Sequence, residues 1–266
     1  MLQFGDSVIC YEIMNKIKTA MILCAGLGRR MGELTANLPK PAIEIVGKSF
    51  VHRVFDMLIE HGIENIVINS HYLADRLLEN IRAYPRLSSL KIDFLFEPVL
   101  LETAGGVINA IDTISEDDFF VVNGDILFTG YSQRPLALLE NNYKKQNMDC
   151  IILLHHKEKV FGYHSNGDFG LKAADQYGAK FGILDADTSD KPFVHAGIYI
   201  FNKKFFLGFD KGPRKMMDVF ASHKQSNGCL NRVFGVVNDG YCLHIGDKAT
   251  YNELSQYLAD NNLMIE

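Results

Sequence analysis

The feature that most constrains this fold is the alternation of short apolar runs with segments of helical periodicity along the chain. The run Thr19–Ala25 (TAMILCA) ends in glycines and indicates a buried strand. Phe50–His61 then places its apolar residues at helical spacing, and Gly62 is a residue at which a helix can end. Strands that alternate with helices pair mostly in parallel and carry helices on both faces of the sheet. The sequence therefore predicts an α/β fold with a mostly parallel, mixed sheet.

The alternation continues along the chain and yields a full set of predicted elements. Further strands are predicted over Glu64–Ser70, Lys91–Phe96, Phe119–Val122, Asp149–His155, Phe193–Phe201, Arg232–Val237 and Tyr241–Ile245. Further helices are predicted over residues 71–84, Thr103–Ile114, Leu136–Gln146, Pro213–His223 and Lys248–Ala259. Between residues 156 and 190 the pattern loosens into short strands and glycine turns, which indicates a hairpin inserted between core elements. Residues 19–266 are predicted to form a single domain, and residues 1–18 an N-terminal extension.

The charge balance of the chain excludes several classes of partner. Its 27 Lys and Arg residues and 32 Asp and Glu residues give a formal net charge of −5. A nucleic-acid polymer or an anionic membrane surface requires a broad basic face, so neither is an expected partner. No apolar run reaches the roughly 18 residues that span a bilayer, and the first residues lack the order of a secretory signal. The five cysteines form no CxxC pair, which favours a reduced, cytoplasmic location. The sequence predicts no oligomeric state.

A glycine-rich turn with nearby cations follows the first predicted strand. The turn reads AGLGRRMG over Ala25–Gly32, and its glycines allow backbone N–H groups to approach a phosphate. Met31 stands where the dinucleotide fingerprint requires glycine, and the Gly-Lys-Ser/Thr ending of an ATP-binding P-loop is absent. The glycines alone are equally consistent with a tight turn that binds no ligand. Arg29, Arg30 and Lys40, which lies between two prolines, add the fixed cations that a polyphosphate needs.

Two sequence features fall at the edge where such a sheet binds its ligands. Parallel α/β sheets bind ligands outside the carboxyl ends of their strands. The glycine turn follows the first predicted strand, and Asp125 follows the fourth. An Asp after Gly124 is also a common turn residue, so its position alone does not assign it a ligand.

Taken together, these motifs resemble those of the sugar-1-phosphate nucleotidyltransferases. The turn Ala25–Met31 and the segment Pro39–Pro41 (PKP) are similar to the family signature AGxGxRM followed by PKP. Three further segments are similar to the base-binding segment, the metal-binding strand end and the sugar-site strand of the family: LETAGG at Leu101–Gly106, VVNGD at Val121–Asp125 and HAGIY at His195–Tyr199. The resemblance covers the chain from about Ala20 to its end. It implies a Rossmann-like three-layer α/β sandwich, the GT-A-like nucleotidyltransferase fold.

The resemblance also implies a reaction and the residues that perform it. An oxygen of a sugar 1-phosphate would attack the α-phosphorus of a nucleoside triphosphate, and pyrophosphate would leave. Because the attacking oxygen is already an anion, catalysis reduces to positioning, cations and Mg²⁺. The implied catalytic residues are Arg30 on the leaving phosphates, Lys40 between the α-phosphate and the sugar phosphate, and Asp125 as a ligand of Mg²⁺.

The remaining implied site residues contact the nucleotide and the sugar. The nucleotide-binding residues are Ala25, Gly26, Leu27, Gly28, Arg29, Glu102, Ala104, Gly105, Gly106 and Asn123. Gly197 is the implied sugar-binding residue, although a glycine within a strand is equally typical of a bulge. The length of the chain and its LETAGG segment look most like the N-acetylmuramate-1-phosphate uridylyltransferase group of cell-wall recycling. Guanylyltransferases that act on mannose 1-phosphate share much of the same pattern.

One segment departs from the family pattern. The family usually ends its last core strand with Trp-x-Asp-x-Gly-Thr-Pro, whose Asp is a second metal ligand. Here Cys242–Lys248 (CLHIGDK) stands in that place, with His244 at the position of the Asp, and His244 is the predicted second metal ligand. Imidazole suits a softer metal than Mg²⁺. It would alternatively bind a phosphate when protonated, and Asp247 is another candidate for the missing carboxylate. The departure leaves a catalytically weakened, nucleotide-binding regulatory protein as an alternative to an active enzyme.

Overall fold

The computed structural model of the chain describes residues 16–173 and 180–260. Its strands, in chain order, are β1 (Thr19–Leu23), β2 (Glu44–Ile45), β3 (Lys48–Ser49), β4 (Asn65–Ser70), β5 (Lys91–Phe96), β6 (Asp118–Asn123), β7 (Phe128–Thr129), β8 (Cys150–His156), β9 (Val160–Phe161), β10 (Gly170–Ala173), β11 (Phe181–Asp185), β12 (Phe193–Asn202), β13 (Cys229–Val237) and β14 (Tyr241–Leu243). Its α-helices are α1 (Phe50–His61), α2 (Ala74–Arg82), α3 (Glu102–Ala110), α4 (Pro135–Asn142), α5 (Met216–Ser222) and α6 (Lys248–Asp260). Each strand and helix predicted from the sequence is present, with ends that differ by a few residues.

Within the described ranges, nine strands form one mixed sheet in the order β10-β11-β13-β8-β12-β6-β1-β4-β5. Strands β6, β1, β4 and β5 are parallel to one another, and β13 is parallel to β8. Strand β12 pairs antiparallel with both β6 and β8, and the pairings of β11 with β10 and β13 are also antiparallel. The predicted α/β fold with a mixed sheet is confirmed, with equal numbers of parallel and antiparallel pairings. Apolar periodicity indicates the burial of a strand but not its direction, so it does not reveal the reversal at β12.

Helices cover both faces of this sheet, as the three-layer prediction requires. Ile22 and Ile68 point to the face that packs against α1, α2 and α4. Met21 and Val67 point to the opposite face, which packs against α3 and α5. Consecutive residues of a strand point to opposite faces, so an apolar run such as TAMIL fills both cores at once.

The stretch predicted as an inserted hairpin forms an edge of the main sheet. Strands β10 and β11 pair antiparallel, from Gly170 opposite Asp185 to Ala173 opposite Gly182. Because β11 then pairs with β13, the hairpin extends the core sheet. Residues 174–179, which include the start of the predicted glycine turn at 176–182, lie outside the described residues.

A smaller sheet holds the segment that departs from the family pattern. Strand β14 pairs antiparallel with β7 and parallel with β9. Gly162, which follows β9, has a φ of +72°, and a Cβ there would lie 2.5 Å from the carbonyl oxygen of His244. Glycine is therefore needed where the two segments pass each other. This close approach fixes the backbone at His244.

The first described residues are packed onto the domain. Ile17 is buried in the core, and its N–H donates a hydrogen bond to Oε1 of Glu140 at 2.8 Å. Nζ of Lys16 donates to the carbonyl oxygen of His61. The predicted domain boundary after residue 18 therefore falls inside a packed segment. Residues 1–15 of the predicted extension lie outside the described ranges.

The described residues contain neither a membrane-spanning helix nor a disulfide. In these ranges no helix has the length and apolar character needed to cross a bilayer. The cysteines found there are all buried and form no disulfide: Cys24, Cys150, Cys229 and Cys242.

Phe120 provides a test of the described core. It is fully buried in β6, and its ring meets His61 edge-on at a centroid distance of 5.4 Å. Phe120→Ala is expected to lower the free energy of unfolding by about 3–5 kcal/mol, because it removes buried apolar area and leaves a cavity. Urea unfolding followed by circular dichroism measures this change. Phe96→Ala is the matched control, since Phe96 ends the edge strand β5 with 59% of its surface exposed, and a loss below about 1 kcal/mol is expected. Equal losses in the two variants would contradict the described burial.

Candidate active site

The candidate site lies where three parallel strands of the main sheet end side by side. Leu23 of β1 is paired with Asn69 of β4 and with Asn123 of β6. A cavity of about 440 Å³ opens at this edge. Its walls come from the glycine turn, the PKP segment, the strand ends and the LETAGG segment: Leu23, Cys24, Ala25, Gly26, Leu27, Gly28, Arg29, Arg30, Lys40, Pro41, Asn69, Leu100, Glu102, Thr103, Asn123, Asp125 and Gly246. The structure thus brings the three predicted catalytic residues and most of the predicted nucleotide-binding residues to one cavity.

A buried amide and a buried carboxylate fix the floor of this cavity. Oδ1 of Asn69 accepts a hydrogen bond from the N–H of Cys24 at 2.8 Å, and Nδ2 donates to Oε1 of Glu97 at 2.7 Å. The other carboxylate oxygen of Glu97 accepts from the N–H of Leu101 at 3.1 Å. Both side chains are almost fully buried, so these bonds are shielded from water. One relay therefore ties the glycine turn to the LETAGG segment.

Asn69 and Glu97 are site residues that the sequence analysis missed. Each stands at or just after the carboxyl end of a predicted strand, which is where site residues of such a sheet are expected. That position was the available signal. Neither residue belongs to a recognisable motif, and both act on the backbone of other segments.

The glycines of the turn are required for different reasons. Gly28 has a φ of +61°, and a Cβ there would lie 2.9 Å from Cγ2 of Thr35 and 3.3 Å from Cβ of Lys40. Glycine at this position lets the turn pack against the stem of Lys40. At Gly26, a Cβ would meet no atom of the described residues within 4 Å. Because Gly26 is exposed and lines the cavity, a ligand can approach its backbone closely.

Lys40 and Asp125 form an ion pair in the wall of the cavity. Nζ of Lys40 lies 2.5 Å from Oδ2 of Asp125, and their side chains are 14% and 31% exposed. Glycine at 124 allows this approach, since a Cβ there would lie 2.6 Å from Sγ of Cys24 and 3.4 Å from Cβ of Pro41. Pro41 can therefore pack closely, and Lys40, its neighbour in a short 3₁₀ turn, is held over the carboxylate.

The charge of Asp125 is set by this contact. Burial alone would raise its pKa, but the attraction and hydrogen bond of Lys40 outweigh burial and hold the pKa below the usual range of a carboxyl group. Asp125 is therefore ionised at neutral pH. The cavity presents a carboxylate whose charge is balanced by one neighbouring cation.

Arg30 and His244 meet at the other side of the cavity. A Cβ on Gly246 would lie 3.3 Å from Nη1 of Arg30 and 3.0 Å from Nε2 of His244. Arg29 and Arg30 are both exposed in a 3₁₀ segment over Arg29–Thr35. Two long cationic side chains are therefore available to an anion in the cavity. One of them, Arg30, reaches the segment after β14.

His244 lies beside Gly246, which lines the cavity, and its ring is largely neutral at physiological pH. Its ring meets Tyr163 edge-on at a centroid distance of 6.5 Å. Partial burial lowers the pKa of His244, and Lys40 lowers it further, while Asp125 opposes the shift. A bound phosphate would oppose this shift, so the alternative in which a protonated His244 binds a phosphate stays a prediction. A neutral imidazole has a lone pair that is free for a metal or a hydrogen bond.

Asp247 has a structural role outside the cavity wall. Its Oδ1 accepts a hydrogen bond from the N–H of Thr250 at 2.9 Å, which satisfies an otherwise free amide in the first turn of α6. This bond lowers the pKa of Asp247. The carboxylate thus acts as a helix cap, which weakens the sequence alternative that assigns it to a metal.

The first half of the LETAGG segment faces the cavity. Glu102 and Thr103 line it, and Oγ1 of Thr103 accepts a hydrogen bond from the N–H of Met216 at 3.0 Å. Glu102 has a left-handed φ of +60°, which is uncommon for a residue with a side chain and typical of functional sites.

The second half of the segment is used for packing. Ala104, Gly105 and Gly106 are buried and do not line the cavity. A Cβ on Gly105 would lie 2.3 Å from the carbonyl oxygen of Gly212, and one on Gly106 would lie 2.7 Å from Nδ2 of Asn69. Neighbouring protein segments therefore require these glycines. The predicted role in base binding would require these three residues to face the cavity. The structure does not place them there.

Gly197 adjoins the cavity without lining it. It has a φ of +79° and lies in a bulge of β12 between His195 and Tyr199. A Cβ on Gly197 would lie 2.7 Å from Cγ2 of Ile126 and 2.9 Å from Nδ2 of Asn123. Glycine is thus required by the bulge and by the contact with Asn123, independently of any sugar.

The donor groups of the cavity suit Mg²⁺ when a triphosphate is present. Among the described residues, no group of three or more His, Cys, Asp or Glu side chains is placed to hold a metal ion. Mg²⁺ is commonly held by one or two carboxylates together with waters and substrate phosphates. Asp125 provides such a carboxylate, so it fits Mg²⁺ if the phosphates supply further oxygens. His244 is a weaker match, because imidazole suits softer metals.

Known proteins are similar in sequence to this chain over most of its length. Residues 19–226 match the family model described as nucleotidyl transferase. The N-acetylmuramate alpha-1-phosphate uridylyltransferase of Caulobacter vibrioides is 30% identical over 234 residues, which cover 86% of this chain and 92% of that protein. The D-glycero-alpha-D-manno-heptose 1-phosphate guanylyltransferase of Aneurinibacillus thermoaerophilus is 24% identical, covering 90% of this chain and 97% of that protein.

The fold is also that of a solved structure. HddC from Yersinia pseudotuberculosis, complexed with GMP-PN, superposes with a TM-score of 0.68 at 22% sequence identity. The alignment covers 91% of this chain and 100% of that chain. At this identity the likeness shows the fold alone.

The Lys40–Asp125 ion pair predicts that removal of Lys40 reverses the direction of the pKa shift of Asp125. Lys40→Met is expected to raise the pKa of Asp125 above its usual value, because burial persists after the compensating cation is gone. In the wild-type chain the lowered pKa stabilises the fold above the unfolded pKa of about 4, and this stabilisation is lost as the pH falls. In the variant, ionisation of Asp125 instead destabilises the fold as the pH rises through the raised pKa.

Carbon-13 NMR of the Asp125 carboxyl group measures this pKa, and denaturant unfolding between about pH 4 and pH 8 measures the change in stability. Lys48→Met is the matched control, since Lys48 pairs with Asp56 outside this cavity at 2.6 Å. A pKa of Asp125 that stays low in Lys40→Met would contradict the described ion pair.

Proposed function

This chain belongs to the nucleotidyl transferase family, and within that family we propose that it transfers a nucleotidyl group to a sugar 1-phosphate. The favoured pair of substrates is UTP and N-acetylmuramate 1-phosphate, and the products would be a nucleotide-sugar and pyrophosphate. The observation that carries the proposal is the Lys40–Asp125 pair beside a glycine turn with open backbone. With these substrates, the enzyme would act in cell-wall recycling in the cytoplasm.

The glycine turn is the proposed site of the triphosphate. The open space at Gly26 allows phosphate oxygens to reach the backbone from Ala25 to Gly28, and Leu27 and Arg29 flank that path. Arg30 would bind the β- and γ-phosphates, which leave as pyrophosphate. Glu102 and Asn123 also line the cavity and are proposed to contact the nucleotide.

Lys40 is proposed to stabilise the charge that shifts during transfer. An oxygen of the sugar phosphate forms a bond to the α-phosphorus, and the bond from that phosphorus to the bridging oxygen of the β-phosphate breaks. The electron pair of the broken bond leaves with pyrophosphate, and no proton has to be moved. An ammonium held by its neighbours costs little reorganisation when the charge develops, which is the main source of rate enhancement in such transfers.

Asp125 is the proposed ligand of Mg²⁺, and His244 stays a predicted second ligand. When bound, Mg²⁺ would supply positive charge to the phosphates. Asp125 is ionised and faces the cavity, so it can hold this ion together with phosphate oxygens.

Two alternatives concern the substrate and the activity. The similarity to a guanylyltransferase favours GTP with mannose 1-phosphate or a related sugar phosphate as the second candidate pair. A weakened regulatory protein is the alternative of another class. The convergence of Arg30, Lys40 and Asp125 on one cavity supports an active enzyme.

A substrate panel tests the proposal. The purified chain is incubated with Mg²⁺, each of the common nucleoside triphosphates, and N-acetylmuramate, N-acetylglucosamine, mannose or glucose 1-phosphate, and pyrophosphate is measured. Release is expected to be fastest with UTP and N-acetylmuramate 1-phosphate. Fastest release with GTP and mannose 1-phosphate would support the second candidate. Nucleotide binding without release in every combination would support the regulatory alternative and overturn the proposal.

Asp125→Asn tests the metal-binding role. The substitution keeps the shape of the side chain but removes its charge, so a loss of turnover of about a thousandfold or more is expected, with thermal unfolding showing a folded protein. Asp247→Asn is the matched control: Asn also caps helices, and the turnover is expected to stay near that of the wild type. Turnover near that of the wild type in Asp125→Asn would contradict the assignment of Asp125 as a metal ligand. A large loss of turnover in Asp247→Asn would instead indicate a metal site at the start of α6.

A further inference from the structure

The segment that carries Arg29 and Arg30 is tied to the glycine turn by Thr35, a buried residue that does not line the cavity. This 3₁₀ segment is kinked at Gly32, where φ is +57° and ψ is −125°. The hydroxyl of Thr35 lies 3.1 Å from the carbonyl oxygen of Gly28, on the far side of the kink, and 3.2 Å from that of Gly32. Its proton is donated to these two carbonyls, so Thr35 joins the end of the segment to the turn before it.

The carbonyl of Gly28 is fixed by two donors. Besides the hydroxyl of Thr35, the N–H of Met31 donates to it at 2.9 Å. A carbonyl oxygen has two lone pairs, and both are used here. Met31 is fully buried, and Thr35 is 4% exposed. The carbonyl of Gly28 therefore points into the interior of the protein.

The direction of this carbonyl determines where the next backbone N–H points. The peptide bond between Gly28 and Arg29 is trans, so its C=O and N–H groups point in opposite directions. The N–H of Arg29 is therefore directed away from the interior. Because Gly28 and Arg29 both line the cavity, a ligand in the cavity can accept a hydrogen bond from this N–H.

The turn alone does not fix the orientation of this peptide. Gly28 has a φ of +61°, and glycine adopts either sign of φ at little cost, so the peptide after it can rotate. Thr35 restricts that rotation in two ways. Its hydroxyl bonds to the carbonyl, and its methyl carbon Cγ2 packs on Gly28, 2.9 Å from where a Cβ would be.

Thr35 is itself held in place from the sheet. The hydroxyl of Tyr72 donates to the carbonyl oxygen of Thr35 at 2.8 Å. Tyr72 follows the end of β4 by two residues, and Asn69 near that end accepts the hydrogen bond from the N–H of Cys24. The end of β4 therefore holds the glycine turn at two points, directly at Cys24 and through Thr35 at Gly28.

We propose that Thr35 is a positioning residue for the triphosphate, which keeps the Gly28–Arg29 peptide turned so that the N–H of Arg29 faces the phosphates. This inference rests on the proposed function. Thr35 touches no substrate and acts through Gly28. An N–H that is oriented before the ligand arrives costs little reorganisation on binding. The effect of Thr35 is therefore on the affinity for the triphosphate and not on the affinity for the acceptor.

Two substitutions separate the hydroxyl of Thr35 from its methyl group. Thr35→Val keeps the shape of the side chain and removes the hydrogen-bond donor, whereas Thr35→Ser keeps the donor and removes the methyl group. Titration calorimetry with UTP and Mg²⁺, without acceptor, measures the Kd, and GTP replaces UTP if the substrate panel favours it. The Kd is expected to rise about fivefold in Thr35→Val, the effect of one lost hydrogen bond, and to stay within about twofold of the wild type in Thr35→Ser.

Turnover kinetics add a measurement that a purely structural residue would not change. In Thr35→Val the KM for UTP is expected to rise, while the KM for the acceptor stays that of the wild type. Thr19→Val is the matched control, since Thr19 is 1% exposed at the start of β1 and its hydroxyl has no hydrogen-bond partner among the described residues. The Kd for UTP is expected to be unchanged in this variant.

The contrary outcomes are distinct. A Kd that rises in Thr35→Ser but not in Thr35→Val would show that Thr35 only packs against the turn, and this would overturn the inference. Equal rises in Thr35→Val and Thr19→Val would overturn it as well, and so would equal rises of the two KM values. Thermal unfolding of each variant separates these changes from loss of the fold.

The amide proton of Arg29 reports the direction of the peptide without any turnover. In NMR spectra of ¹⁵N-labelled protein, this proton is expected to move downfield when the triphosphate is added, because it then donates to a phosphate oxygen, and to move less in Thr35→Val. An Arg29 amide that does not respond to the bound triphosphate would overturn the inference even in an active enzyme. Absence of pyrophosphate release with every pair of substrates would instead overturn the proposed function.

Discussion

A carboxylate that is partly shielded from water is stabilised by a nearby cation, and the contact of Asp125 with Lys40 provides this stabilisation at the centre of the site. The two residues are separated by 85 positions in the sequence, so the pair forms only when the loops after β1 and β6 are packed together. Gly28 and Gly124 make that packing possible, because a side chain at either position would collide with the PKP segment or its surroundings. The arrangement of charge in the cavity is therefore a property of the packed fold and exists before any ligand arrives.

The sequence predicts those parts of the site that are encoded locally. Asp125 follows the end of β6 and Lys40 stands in the PKP motif, and the structure brings both to one cavity. Asn69 and Glu97 act through hydrogen bonds that join positions 45 and 28 residues apart. No local sequence pattern therefore indicates their role in the site. Gly106 is the opposite case, because its motif is visible in the sequence. The sequence does not show which neighbouring group requires a glycine there.

Like the site, the fold could be predicted where local residue patterns encode it, and not where it depends on contacts between distant segments. Apolar periodicity reports which residues are buried, and this is enough to locate the strands and helices and to assign an α/β class. The antiparallel course of β12 depends on how distant strands pair, which periodicity does not report. That reversal matters for the site, since it brings His195 and Gly197 to the same sheet edge as Asn123.

The cavity is built from two stretches of chain that lie far apart in the sequence. The glycine turn, Lys40, the LETAGG segment and Asp125 all lie within residues 23–125, whereas Gly246 and its neighbour His244 come from the segment after β14. Substitutions in the second stretch can therefore alter one end of the cavity while the other end keeps its geometry. In evolutionary terms, the later stretch can vary by drift at this edge of the sheet, while the glycine turn and the Lys40–Asp125 pair of the earlier stretch are inherited unchanged.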